Sequence, residues 1–235
     1  MGTEAINYVL GQQCAPVIAG VKPSNLLIVE KGNQSRLRHV LKGTDLHSYL
    51  LYTSEQKDYW LLFETERLWK TLMADRNRLY LRECGYDMQD SSSMQACLVM
   101  DVPTEIPSRE VRRQDGSSME VRCAKNEFSE MDVVFVKLAA RFRSYKEGKS
   151  DFPHEMGIFL GYPLEDVRGF IENRGQNFKM SGYWKVYGDV AYASRVFQLY
   201  ERAKALALDL CGQGMGILDI WRSLRNESAL SAVSA

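Results

Sequence analysis

The chain has 235 residues, enough for one large domain or two small ones with a real core. Lys plus Arg and Asp plus Glu balance at 30 each, which removes any general electrostatic pull toward nucleic acid or an anionic membrane surface; a basic patch would have to be local. Cys14, Cys84, Cys97, Cys123 and Cys211 are scattered without a C-x-x-C pair, which excludes a zinc-ribbon spacing and a disulfide-stapled secreted domain and fits free thiols in a reducing cytosol.

The first stretch, MGTEAINYVLGQQ, carries Glu4 and no basic segment ahead of an apolar run, unlike a signal peptide, and Ile6 stands where a myristoylation motif wants Ser or Thr. Thr3 is expected to cap a helix that turns Ile6, Val9 and Leu10 inward, and Pro16 is expected to disturb that helix and leave Cys14 beside a break. Gly20, Pro23 and Asn25 punctuate the chain before Leu26-Leu27-Ile28-Val29, a buried strand by its bounding turn residues. A helix over 33–41 follows, stopped by Gly43. Two aromatic-rich runs, 49–52 and 59–63, joined by SEQKD, predict a hairpin. From Glu64 the spacing of Leu68, Trp69, Leu72, Met73, Leu79 and Tyr80 turns helical and ends near Gly85.

Residues 87–125 differ in character, opening with DMQDSSS and turning through Gln114-Asp115-Gly116, and read as an insertion with strands at 97–100 and 119–123. Asn126 or Ser129 is expected to cap a helix running to Tyr145. Two short helices then span 153–174, a strand 183–187, a long helix 190–210 with Tyr192, Val196, Leu199, Tyr200, Ala203, Leu206 and Ala207 inward, and a last helix 217–224. The tail after Glu227 is small and polar enough to fray. No internal repeat and no apolar run of membrane-spanning length interrupts the pattern. These elements predict an α+β (mixed α/β) fold, a single domain over 1–235 with a small mixed sheet and flanking helices, in a cytoplasmic protein.

DFPHEMGIFLGYPLEDVRGFIENRG is the most distinctive stretch. Pro153 and Glu155 suit a helix start, Gly161 a left-handed stop, and Pro163 a restart with Glu165 and Asp166 in the first turn. Met156, Leu160, Val167, Phe170 and Ile171 would share the core of a helix-turn-helix-like elbow, with Gly157 permitting close approach. A DNA reader would lead with Leu164, Glu165 and Asp166, whose carboxylates a phosphate-lined groove repels. That use requires Arg168, Arg174 and Lys179 to form one exposed basic face, so a structural elbow is preferred and a nucleic-acid partner disfavoured.

His154-Glu155 is the most chemical-looking pair, but HEMGI lacks the second His of a zinc-protease helix, and with His39 and His47 the only other histidines no metal site is expected. An enzyme reading gives His154 or Glu155 the proton transfer, with Cys14 as a thiol activated by Lys22. The plainer reading is a His beside a Glu that favours the helix start, and a small buried Cys. CGQGMG follows a helix rather than a strand, so it reads as a helix stop, not a dinucleotide loop. In GYWKVYGD, Tyr183, Lys185 and Tyr187 would share one strand face; with Tyr162 and Lys22 they are the candidate ligand-binding residues for a planar or anionic molecule.

CAPVIAGVKPSNL and FPHEMGIFLGYPLEDVRGFIENRGQNFKMSGYWKVYGD together resemble the two signatures of a bacterial family, the domain of unknown function numbered thirty-seven ninety-three. The resemblance runs from about Tyr8 to Trp221, with 87–125 longer than the family's usual connection. It places Cys14, Pro16, Lys22, Pro23, His154, Glu155, Gly161, Tyr162, Pro163, Asp166, Asn173, Tyr183, Trp184, Lys185 and Asp189 on signature positions. Members of the family occur mainly in anaerobic bacteria, sometimes encoded near flavodoxin-like proteins, which implies redox or cofactor-linked work and a flavodoxin-like partner. The leading expectation is a binding or accessory protein holding a small ligand, a cofactor or a redox partner. The alternatives are an enzyme using His154, Glu155 or Cys14 and a regulator using the elbow.

Overall fold

A computed structural model of the chain describes residues 2–86 and 130–226. The hairpin expected within 87–125, the caps at Asn126 or Ser129 and the tail after Glu227 lie outside the described residues.

Helix α1 (Thr3–Ile18) leads into strand β1 (Ser24–Glu30), helix α2 (Gln34–Leu41) and the hairpin β2 (Leu46–Thr53) and β3 (Lys57–Glu64). The sheet order is β1-β3-β2, antiparallel throughout, with Leu27 opposite Trp60 and Ser48 opposite Leu62. A bulge falls between Leu50 and Tyr52 on β2. As the central strand, β3 is covered on both faces, which is why 60–63 is a continuous apolar run rather than an alternation. Trp60 and Leu62 enter one core with Ile6, Leu10 and Ala207; Leu61 and Phe63 enter the other with Leu68, Phe135 and Phe159.

Three layers result. α1, α2, α8 (Val190–Gly212) and α9 (Ile217–Arg225) contribute to the first core. α3 (Thr65–Met73), α4 (Asp75–Glu83), α5 (Glu130–Lys146), the single turn α6 (Met156–Phe159) and α7 (Leu164–Glu172) contribute to the second. A third, smaller cluster joins Trp184, Val186, Ala193 and Tyr200 beneath the short hairpin β4 (Met180–Ser181) and β5 (Lys185–Val186). The architecture is α+β, as the pattern of elements predicts. No described helix is long and apolar enough to cross a membrane.

Several local expectations are corrected. Thr3 is the first residue of α1, and Gly2 stands in the cap position without a side-chain bond. Pro16 does not break α1, which runs on to Ile18; Gly20, at φ +71, closes the helix with its N–H on Val17 O at 2.9 Å and Val21 N–H on Pro16 O at 2.9 Å. The helix predicted from Glu64 to Gly85 is two, since Ala74 is extended at ψ 130 and Asn77 donates to Thr71 O at 2.8 Å across the corner. Tyr192 is 45 % exposed; Ala193 is the buried residue of that turn, and the small Ala203 and Ala207 continue the packed face of α8. The first limb of the elbow is a single turn of four residues, and Ile171 is 40 % exposed rather than shared core.

Candidate functional site

The two signature segments meet across the fold. Ser24 Oγ donates to Phe159 O at 2.7 Å in a buried contact. Gly161, at φ +76, lies so close to Pro23 that a Cβ there would stand 2.7 Å from the proline ring; only glycine meets both demands. Gly161 turns the chain so that Tyr162 covers Lys22, whose Nζ lies 5.3 Å from the Tyr162 ring centre and 5.6 Å from that of Tyr200 on α8. Lys22 Nζ donates to Asn25 Oδ1. Asn25 is oriented for this because its Nδ2 donates to Gln13 O at 2.6 Å and Leu26 O at 3.1 Å.

Lys22 is 1 % exposed. Burial lowers its ammonium to about 8, against an opposing pull from Cys14. Burial likewise pushes the fully enclosed Cys14 thiol up to about 12, more strongly than Lys22 and Asn25 lower it. Lys22 therefore lies beside Cys14 without activating it. Trp184 stacks on Tyr162 with ring centres 5.1 Å apart. Its indole N–H donates to Asp166 Oδ2 at 2.7 Å, and Asp166 Oδ1 accepts the amides of Tyr187 and Gly188, each at 2.7 Å. Asp166, the presumed repeller of DNA, is thus the buried anchor that ties the hairpin to the start of α7.

His154 and Glu155 lie elsewhere, at a cleft of about 590 Å³ between α4, α5, residues 150–155 and α7. Its walls include Tyr80, Cys84, Arg141, Ser144 and Phe152. Glu155, 2 % exposed, accepts from Arg141 Nε, from Arg141 Nη2 at 3.3 Å and from the Tyr86 hydroxyl at 3.1 Å. This fork fixes the guanidinium plane, and the Arg141 side chain remains 43 % exposed toward the cleft. The His154 ring faces Phe152 at 5.7 Å and Phe170 at 5.3 Å, and Tyr145 meets Phe152 edge-on at 5.2 Å; of these rings Phe152 and His154 border the cleft, with Tyr80. Burial pushes Tyr80, Cys84 and Tyr86 upward in pKa, with the Glu155 charge adding to each, so these groups stay protonated.

The residues expected to act together are distributed. Cys14 belongs to the core around α1, whereas His154 and Glu155 border the cleft, and Cys14 is not among the residues lining it. Tyr183, Lys185 and Tyr187 do not form one cluster: Tyr183 packs on α8, whereas Lys185 and Tyr187 pack against α7 at Phe170 and Gly169, and of the three only Lys185 pairs with β4. Tyr183 packs on Tyr200 at 5.1 Å and borders a shallow groove with Phe197, Glu201 and Lys204. Lys185 donates to Gly175 O at 2.6 Å and lies 4.8 Å from the Phe178 ring. Tyr187 covers Gly169, and its buried hydroxyl has no hydrogen-bond partner among the described residues. Arg168 pairs with Glu83 at 3.3 Å and Lys179 donates to Gly188 O at 2.9 Å, so two of the three cations required for a DNA-binding face are engaged within the chain.

Arg141, Tyr86, Asn25 and Tyr200 were invisible to sequence reasoning as site residues. Each is set by a contact with a distant segment and carries no local motif. Among the described residues no group of three His, Cys, Asp or Glu side chains is arranged to hold a metal ion.

The sequence model of a family described as "Protein of unknown function (DUF3793)" matches residues 10–101 and 117–221. The unmatched stretch, 102–116, falls inside the 87–125 segment. No curated protein and no solved structure in the comparisons matches the chain.

Proposed function

The chain belongs to the DUF3793 family, a family of unknown function, and we propose that it is a cytoplasmic accessory protein that binds a small ligand or cofactor in the cleft over Arg141, His154 and Glu155. The observation that carries this reading is the fork from Arg141 to the buried Glu155, which leaves the guanidinium oriented and partly open to the cleft. A carboxylate held by Arg141 and Tyr86 serves better as an orienter than as a proton shuttle. The cleft's size falls within the roughly 300–1,000 Å³ of small-molecule sites, and its aromatic rim suits a planar ligand. Arg141 and Glu155 cancel in charge and Asp151 stands among the lining residues, so the fitting ligand is planar and offers a hydrogen-bond acceptor to Arg141 rather than a large negative charge.

The test is native mass spectrometry of the protein purified without oxygen from its own host, beside its denatured mass. A non-covalent mass difference that disappears in Arg141→Ala and persists in Lys204→Ala supports the cleft as the site. A clean ligand-free mass, or a retained ligand indifferent to Arg141, removes this reading and moves attention to a protein partner.

A further inference from the structure

Lys22 is a buried ammonium for which, among the described residues, no carboxylate partner is found: its contacts are one amide oxygen and two aromatic faces. It sits where the elbow and the hairpin close onto α1 and α8. We propose that the Lys22 cage is a proton-operated latch, in which a proton on Nζ loosens the hold of the elbow and hairpin on the first core and its loss tightens it. The proposal stands on the cage alone and is independent of any ligand in the cleft.

Four elements present side chains to Nζ. Cys14 comes from α1, Asn25 from β1, Tyr162 from the turn before α7 and Tyr200 from α8. Asn25 does not titrate. Burial holds Cys14 and Tyr162 each up at about 12 and raises Tyr200 as well, so Lys22, brought down to about 8, is the member of the cage whose charge changes in mildly alkaline solution. The module it restrains is built to open. Its strands are two residues long, its core is the small Trp184, Val186, Ala193 and Tyr200 cluster, and Gly161 and Gly175 hinge it at positive φ.

The direction follows from linkage. The closed-state pKa lies below the ordinary lysine value of 10.5, so opening takes up a proton between about pH 8 and 10.5. The cost of the enclosed charge is complete below about pH 8 and fades as pH rises through that window. Opening is therefore most frequent at neutral pH and becomes rarer toward pH 10.

Hydrogen exchange of the Tyr187 and Gly188 amides, held by Asp166, reads the opening in the full chain after correction for intrinsic rates. The expected opening equilibrium falls about tenfold between pH 7 and pH 9 in the wild type. It should be flat and low in Lys22→Met, and high at both pH values in Lys22→Arg, which stays charged. Amides of β3 should exchange more slowly than the hairpin at every pH. A wild-type profile that does not change, a Lys22→Met variant that keeps the slope, or a hairpin that exchanges only together with β3 overturns the latch. Should Lys22→Met fail to fold, the wild-type profile and Lys22→Arg decide alone.

Discussion

Glu155 and Lys22 are both ionisable side chains sealed from water, and the fold treats them in opposite ways. Glu155 is met by a guanidinium from α5 and by the hydroxyl of Tyr86, just beyond α4, so its charge has hydrogen-bond partners on both oxygens. Lys22 has one amide oxygen and two ring faces. Burying a charge is costly, and removing the partner of a paired one is costlier still than replacing an unpaired one by an apolar residue of similar volume. The cleft is held by a satisfied pair, whereas the cage is held by packing despite its charge. Asp166 is a third case, a carboxylate satisfied entirely by N–H donors.

The largest effect should come from removing the best-satisfied charge. Asp166→Ala strands the Trp184 indole and two backbone amides, and is expected to lower stability by roughly 4 kcal/mol in urea unfolding. A loss below about 1 kcal/mol would mean that hydrogen bonding to the carboxylate is not what holds the hairpin. Next, Arg141→Leu leaves Glu155 enclosed with only Tyr86, at a cost of about 3 kcal/mol. Arg141→Leu combined with Glu155→Gln should recover part of that loss, which a double-mutant cycle measures directly.

Lys22→Met runs the other way. It should stabilise the protein by about 2 kcal/mol at pH 7, since it removes an ammonium whose burial is unfavourable at every pH below about 8. The advantage should shrink as pH rises from about 8 and vanish only above about pH 10.5, where the amine is neutral in the folded and the unfolded chain alike. Stability curves of the two proteins that stay parallel from pH 7 to 10 would erase the contrast between Lys22 and Glu155. The smallest expected change is Gly161→Ala. It meets the Pro23 ring and a left-handed backbone, costs about 1–2 kcal/mol, and should loosen the cage without touching Lys22, seen as faster exchange of the Tyr187 and Gly188 amides.

Much of the architecture was legible along the chain. The apolar run Leu26 to Val29 lies within β1 and the aromatic 59–63 run within β3; Gly43, Gly85 and Gly161 mark turns at positive φ. These are properties of a few adjacent residues, where side-chain period and backbone preference act over one or two turns. The errors were local ones that tertiary contacts overrode: Pro16 kept in a final turn, a continuous helical spacing divided at Ala74, and a predicted five-residue strand reduced to Lys185 and Val186.

The site was legible as residues and illegible as an arrangement. His154 and Glu155 are neighbours in the chain, but one turns to Phe152 and Phe170 and the other to Arg141 and Tyr86. Lys22 and Tyr162 were both candidates, and nothing near either names the other. Composition and periodicity set which stretches become helices and strands and which faces seek burial, because those preferences are decided by near neighbours. Which charge meets an opposite charge and which is enclosed by an amide oxygen and ring faces depends on where Gly161, the sheet and α8 bring distant segments, a consequence of packing many apolar surfaces at once that no short stretch records.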